Sequence, residues 1–155
     1  MAFDKAAPLF ATYERGLKAM DTLTGERRSA QMARIRSKDT QPEWVVRRLL
    51  HGLGYRYVLH DARLPGCPDL VFPARMKAAF IHGCFWHCHT CQLASKPKSH
   101  SKYWKAKLAG NKARGRRHRS NLKRQGWSTK VVWECETRRT DLSKLARMLE
   151  QFLTH

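Results

Sequence analysis

In the ten residues His82-Gly83-Cys84-Phe85-Trp86-His87-Cys88-His89-Thr90-Cys91, six are cysteine or histidine. Thiols and imidazoles at separations of one to five residues converge readily on a tetrahedral Zn²⁺, and a cytosolic domain has few other uses for so dense a cluster. Whatever fold this chain adopts must gather that segment to a point. Spacing leaves two ligand sets open: Cys88 and Cys91 as a C-x-x-C knuckle, or Cys84 and Cys91 with His89 between them. Either needs a further ligand from elsewhere, and Cys135 is the only well-placed distant thiol. Cys67, in Leu64-Pro65-Gly66-Cys67-Pro68, reads as a small residue filling a tight turn rather than a ligand. Five cysteines is an odd number, and four of them lie near histidines or match them in spacing. Metal ligation in a reducing, cytoplasmic compartment therefore fits better than a disulfide framework.

The charge is as uneven as the ligand distribution. Between Asp69 and Glu134 there is no acid, while the 64 residues 70–133 hold 15 Lys or Arg. The other 16 basic residues are balanced by all 12 acids, and the formal net charge is +19. Such a one-sided field attracts a polyanion, which makes nucleic acid the leading partner ahead of a merely solvated basic face. A membrane surface fits less well, because the basic segment has too few apolar residues for a clean amphipathic face. A length of 155 residues with 42% apolar content suits one folded domain. No apolar run approaches the roughly 18 residues of a membrane span, and the first residues lack the pattern of a signal peptide.

Residues 1–19 show no sustained periodicity and read as a flexible extension, with the domain over 20–155. Thr24 can cap a helix over Glu26–Arg36. Thr40-Gln41-Pro42-Glu43 predicts a capping box with Pro in the first turn, followed by Val46, Leu49, Leu50 and Leu53 on one helical face and a stop at Gly54. Strands are expected at Tyr55–Leu59, Asp69–Phe72, Lys77–His82 and Ser128–Glu134, the first three as a meander with the third central. A long basic helix, broken or frayed near Gly110 and Gly115, should run from Lys102 to Arg124, and a closing helix from Asp141 to Leu153. Helices before and after strands imply an α/β sandwich around one sheet.

Asp69 follows Pro68 at the head of a strand, and a second strand ends about ten residues later at Phe80-Ile81-His82. Many metal-dependent nucleases place a Pro-Asp pair and a later acid-x-Lys triplet on adjacent strands around Mg²⁺; here Phe80 and His82 occupy the places of the acid and the lysine. Pro68-Asp69, the stretch Phe80-Ile81-His82-Gly83-Cys84-Phe85-Trp86-His87 and Val132-Trp133-Glu134-Cys135 occur in order. They are joined by Met20-Asp21-Thr22-Leu23-Thr24, the stretch from Arg34 to Thr40, Pro42-Glu43 and Gly126-Trp127. Together these resemble the very-short-patch repair (Vsr) DNA mismatch endonucleases from Met20 almost to the C-terminus.

The resemblance implies a restriction-endonuclease-like core of the PD-(D/E)xK type, a central mixed β-sheet flanked by helices, with a structural zinc site. It implies nicking of one strand 5′ to the thymine of a T·G mismatch left by 5-methylcytosine deamination, the first step of very-short-patch repair. Asp69 and the carbonyl of Ile81 would hold Mg²⁺, His87 would activate water, and His82 would contact the phosphate. Glu43 matches the family's helix-borne active-site acid, though it equally serves as a capping-box residue. The zinc ligands would be Cys84, His89, Cys91 and Cys135, with Cys88 a bystander. Phe85, Trp86 and Trp104 would wedge beside the mismatch, unless they pack in the core, and Lys105, Lys112, Arg114, Arg116 and Arg117 would bind the DNA. The implied partners are double-stranded DNA and, functionally, a DNA cytosine-5 methyltransferase and downstream repair proteins, the enzyme itself acting as a monomer without membrane contact. Two departures stand out. The acid that partners the catalytic histidine in the family corresponds here to Gly115, leaving Glu134, His118 or a water to compensate or the site weakened to a binder. Cys67 replaces a more usual polar or basic residue beside Pro68-Asp69.

Overall fold

The computed structural model describes residues 38–94 and 100–155, so the extension 1–19 and the helix expected over Glu26–Arg36 lie outside the described residues. The capping box forms as its sequence requires. Glu43 folds back to accept the Thr40 backbone N–H at 3.3 Å and the Thr40 hydroxyl at 2.8 Å, starting helix α1 (Gln41–Gly52). The helix buries Val46 and Leu50, and the chain turns away through Gly54 at φ 85°.

The sheet contains β1 (Val58–Leu59), β2 (Leu70–Phe72), β3 (Lys77–His82) and β4 (Ser128–Trp133) in that spatial order. The first two pairings are antiparallel and β3–β4 is parallel, so the architecture is α/β with a mixed sheet and an initial meander. Strand β1 is shorter than the expected Tyr55–Leu59, because Tyr55 and Tyr57 pack against the core and the Tyr57 hydroxyl donates to the Arg47 carbonyl at 2.9 Å. Asp69 lies immediately before β2 rather than within it. Strand β4 ends at Trp133, one residue early. The Glu136 carboxylate accepts the Trp133 N–H at 2.7 Å and opens a four-residue helix, α3 (Glu134–Thr137), that sequence periodicity does not reveal.

Between β3 and β4 lies α2 (Ser101–Arg124), 24 residues long and unbroken at Gly110 and Gly115. Each glycine costs about 1 kcal/mol relative to alanine, too little to interrupt a helix held by burial of Trp104, Leu108 and Leu122. The last helix, α4, spans Ser143–Thr154, starting later than expected because Asp141 accepts the Ser143 N–H at 2.8 Å. Its C-terminal carbonyls are met by basic side chains: Lys77 Nζ donates to Phe152 O at 2.5 Å and Arg75 to Leu153 O at 3.1 Å.

The core joins Val46 and Leu50 of α1 to Leu145, Leu149 and Leu153 of α4 across Leu70, Phe72, Ala79 and Val132 of the sheet. Strand side chains alternate between faces, so with Ala79 and Ile81 turned to this core, Phe80 and His82 point to the opposite face. That is the face α2 crosses, since the helix packs on β4 and passes over His82. Among the described residues no helix is long and apolar enough to cross a membrane.

Candidate active site and metal centre

The parallel pairing of β3 and β4 runs to His82↔Trp133, so the chemistry-bearing segments leave the sheet side by side at its carboxyl end. The loop after β3 coils back on itself through His87 N–H to Gly83 O at 3.3 Å and His89 N–H to Cys84 O at 3.0 Å. This turn stacks the His87 ring on that of His82, with centroids 3.7 Å apart and planes 7° from parallel. Burial pushes the His82 imidazole down to about 3, helped by His87 and Arg119. Burial likewise pushes His87 down to about 4, with Arg119 and Arg114 adding to it. Both rings are therefore neutral at pH 7, as an imidazole acting as a base must be. Nδ1 of His82 is buried without a hydrogen-bond partner.

Asp69 is tied to the same strand from the other side. Its Oδ2 accepts the Ile81 N–H at 2.7 Å. Burial raises its carboxyl to about 6; the Ile81 bond and Arg47 oppose the shift, and the charge of Glu43 adds to it. Behind Asp69 sits a network that sequence reasoning missed. His60 Nδ1 lies 3.7 Å from Asp69 Oδ1, and His60 Nε2 lies 2.9 Å from Arg47 Nη2 and 3.3 Å from Glu43 Oε2. A guanidinium can only donate, so at the closer contact Nε2 accepts, which leaves the ring proton on Nδ1 facing Asp69. Glu43 is buried and also accepts Arg47 Nη2 at 2.7 Å and the Asp39 N–H at 3.1 Å. Its capping-box position and its place beside Asp69 are thus both real. Arg47, at i+4 from Glu43, could have been paired with it from spacing; His60, held at φ 46° in a turn, carries no periodic signal.

One donor atom each from Cys84, His89, Cys91 and Cys135 lies within 4.8 Å of all the others, with Cys135 Sγ 3.6 Å from His89 Nδ1. Ligands on a tetrahedral Zn²⁺ at the usual bond lengths stand about 3.5 Å apart, so this three-thiol, one-imidazole set fits that ion. Burial pushes the Cys84 thiol up. Burial acts the same way on Cys91, but hydrogen bonds involving His89, Cys84 and Cys135 outweigh it and bring that thiol down to about 7. Cys88 is exposed, at φ 53°, and lies outside the group, so the Cys88–Cys91 knuckle does not form. All five cysteines are free of disulfides. The His89 ring stacks on Trp133 at 4.2 Å, and Glu134 braces the cluster by accepting the Cys84 N–H at 3.2 Å. A second group, Asp39, Glu43 and His60, has ligand-type atoms equally close, but Arg47 already brings a cation to both of its carboxylates.

Phe85, Trp86 and Trp104 form one aromatic cluster, with centroids 5.1 Å apart for Phe85–Trp86, 5.4 Å for Phe85–Trp104 and 6.1 Å for Trp86–Trp104. Trp104 departs from the expectation of a DNA-facing wedge. It is buried among its neighbours, and the exposed ring at this end of α2 is Tyr103. Lys107, also unanticipated, sets its ammonium 5.6 Å from the Trp104 centroid. Lys105, Lys112, Arg114, Arg116 and Arg117 are all exposed along α2. Gly115 faces the paired histidines, as a Cβ there would stand 3.9 Å from His82 Cε1. The compensations expected from Glu134 and His118 are not made. Glu134 Oε1 is held by Arg138 at 2.8 Å while Oε2 takes Cys84, and His118 packs over Gly66, where a Cβ would meet its own Cβ at 2.7 Å.

A carboxylate fixed at a strand head, paired imidazoles and a basic helix above them define a class of α/β nucleic-acid hydrolases. Comparison with known proteins narrows the class. The family model for the DNA mismatch endonuclease Vsr matches residues 20–93. The chain is 47% identical over 133 residues to a type II nicking enzyme, V.XorIIP, of Xanthomonas oryzae, covering 86% of this chain and 96% of that one. It is 38% identical to the type II nicking enzyme V.NmeAIP of Neisseria meningitidis, covering 84% and 96% of the two chains. It is 40% identical to the DNA mismatch endonuclease Vsr of Escherichia coli over 111 residues, 72% of this chain and 71% of that one. The chain belongs to the Vsr endonuclease family.

Proposed function

We propose that the protein is a Mg²⁺-dependent, zinc-stabilised endonuclease that nicks one strand of duplex DNA 5′ to the thymine of a T·G mismatch. The observation that carries this reading is the convergence on the end of β3 of Asp69, through its bond to Ile81, and of the stacked pair His82 and His87, beneath an acid-free helix. The name of the Escherichia coli relative, a DNA mismatch endonuclease, supports a mispaired substrate, and the choice of T·G rests on the family resemblance. Deamination of the 5-methylcytosine made by a cytosine-5 methyltransferase, which leaves the T·G pair, and later processing of the nick belong to the same proposal.

Asp69 and the Ile81 carbonyl would hold Mg²⁺, an ion that commonly takes only one or two carboxylates and leaves its other positions to water and phosphate oxygens. When bound, Mg²⁺ would supply Lewis-acid stabilisation of charge on the phosphate. His87, neutral and stacked, takes the proton of the attacking water, while His82 donates a hydrogen bond from its own ring to the phosphate. His60 and Arg47 hold Asp69 and Glu43 in place from behind. Cys84, His89, Cys91 and Cys135 would hold Zn²⁺ and so fix the loop bearing His87 to the end of β4. Phe85, Trp86 and the exposed Tyr103 offer rings to a base step, which unstacks at least cost where it is mispaired.

The test is a denaturing gel of end-labelled duplexes with one T·G pair or a matched T·A pair, with Mg²⁺ or with EDTA. A nick 5′ to the thymine, restricted to T·G and to Mg²⁺, is the expected product. Mismatch binding without any nick would replace the enzyme with a binding protein, a reading to which the bare Gly115 lends weight.

A further inference from the structure

Gly115 and Arg119 are one helical turn apart on the side of α2 that faces the sheet. A Cβ built at Gly115 would stand 3.4 Å from Arg119 Nη1 and 3.9 Å from His82 Cε1. A guanidinium and an active-site imidazole thus flank the same point, each within van der Waals contact of where a side chain at position 115 would begin. Arg119 is half-buried, unlike Arg114, Arg116 and Arg117, which are exposed. Among the described residues the ion pairs of arginine are those of Arg47, Arg63 and Arg138, and no acid is assigned to Arg119. There is no acid in α2 or anywhere from residue 70 to 133 to provide one. Partial removal from water without a counter-charge is costly, and an anion entering the site relieves that cost. The planar donor fork of arginine matches two oxygens of one phosphate.

We infer that Arg119 is a catalytic residue that contacts the reacting phosphate beside His82 and His87, in the space left open by Gly115. This rests on the endonuclease reading and deepens it. A carboxylate at position 115 would orient an imidazole; the Gly115–Arg119 pair instead brings donors to the oxygens on which charge grows as the phosphodiester is attacked. The compensation for the missing acid therefore comes from a base four residues on, a residue whose side chain has the opposite charge.

Two measurements test this. In EDTA, the affinity of the full chain and of Arg119→Met is measured for T·G duplexes with an ordinary phosphate or a neutral methylphosphonate 5′ to the thymine. The wild-type chain should lose on the order of tenfold on neutralisation and Arg119→Met almost nothing, a coupling that isolates this one contact. In Mg²⁺, Arg119→Met should lower kcat for nicking by about 100-fold with affinity for the intact duplex changed far less, and Arg119→Lys should recover part of the loss. Gly115→Asp, a variant that keeps Arg119 but gives it an ion-pair partner at i−4, should lower kcat as well. Equal losses on neutralisation in both proteins, or an unchanged kcat in Arg119→Met, would overturn the assignment. Coupling without any nicking by the wild-type chain would remove the endonuclease reading and leave the phosphate contact standing, so that the assignment as catalytic falls with the enzyme alone. Nicking without coupling would do the reverse.

Discussion

Two groups of polar side chains hang on the end of β3, and they differ in how complete they are. The cysteine–histidine cluster draws four donors from two segments of its own chain, Cys84 to Cys91 and Cys135, with nothing left for an outside molecule to supply. The Asp69 centre has one carboxylate, steadied by one backbone bond, and the acids behind it, Asp39 and Glu43, are already paired with Arg47. Closed donor sets hold structure, whereas open ones leave room for substrate. On the proposed reading the same strand end carries a clamp and a workplace, joined by the loop between Gly83 and His89.

The sharpest way to break this contrast is at its open side. Asp69→Ala should lower nicking by about 1,000-fold or more while leaving duplex affinity within a few-fold, because a metal-binding carboxylate acts on the reaction rather than on the DNA backbone. Single-turnover rates together with binding titrations read both; unchanged turnover would take Asp69 out of the site. At the closed side, Cys135→Ser should reduce bound zinc and cost several kcal/mol of stability, with the loss of nicking following the loss of fold. Metal analysis beside thermal unfolding checks it, and a variant that keeps full zinc would show the ligand set to be wrong.

A smaller effect separates the proton chemistry of the two histidines from that of Asp69. The Asp69 carboxyl lies near 6, raised by burial, so a proton competes with Mg²⁺ as the pH falls through that value. His82 and His87, pushed down to about 3 and about 4, keep their neutral form throughout the same window. Nicking should therefore fall on the acid side near or below pH 6. The midpoint should move to lower pH by up to about one unit for each tenfold rise in Mg²⁺ once the ion exceeds its dissociation constant. A midpoint indifferent to Mg²⁺ would assign that limb to an imidazole instead.

The legible parts of the molecule are those with local rules behind them. Helix α1 is written in Thr40, Pro42 and Glu43, and β3 in an apolar run that the structure reproduces at both ends. The cluster was legible by residue type, and its membership, Cys84, His89, Cys91 and Cys135, through the family resemblance rather than through spacing. Spacing cannot tell Cys84 from Cys88 when the loop reverses on itself through a residue at positive φ. Helix α3 was hidden because four residues cannot show a period, and the persistence of α2 through Gly110 and Gly115 was hidden because burial rather than propensity decides it. In the proposed active site, Asp69, His82 and His87 stood in recognisable strings. His60 and Arg119 did not, since each matters through what the fold brings opposite it, a carboxylate in one case and an imidazole in the other.

The parallel register of β3 and β4 has a consequence for how this chain can vary in length. With Ala79 beside Lys130 and His82 beside Trp133, one residue inserted or deleted within β4 would turn Val132 out of the core and swing Cys135 away from Cys84. Sequence drift can thus exchange side chains along this strand, but it can add or remove none. Insertions and deletions among descendants of this chain should cluster in connections that no pairing counts, and should be missing between Ser128 and Cys135.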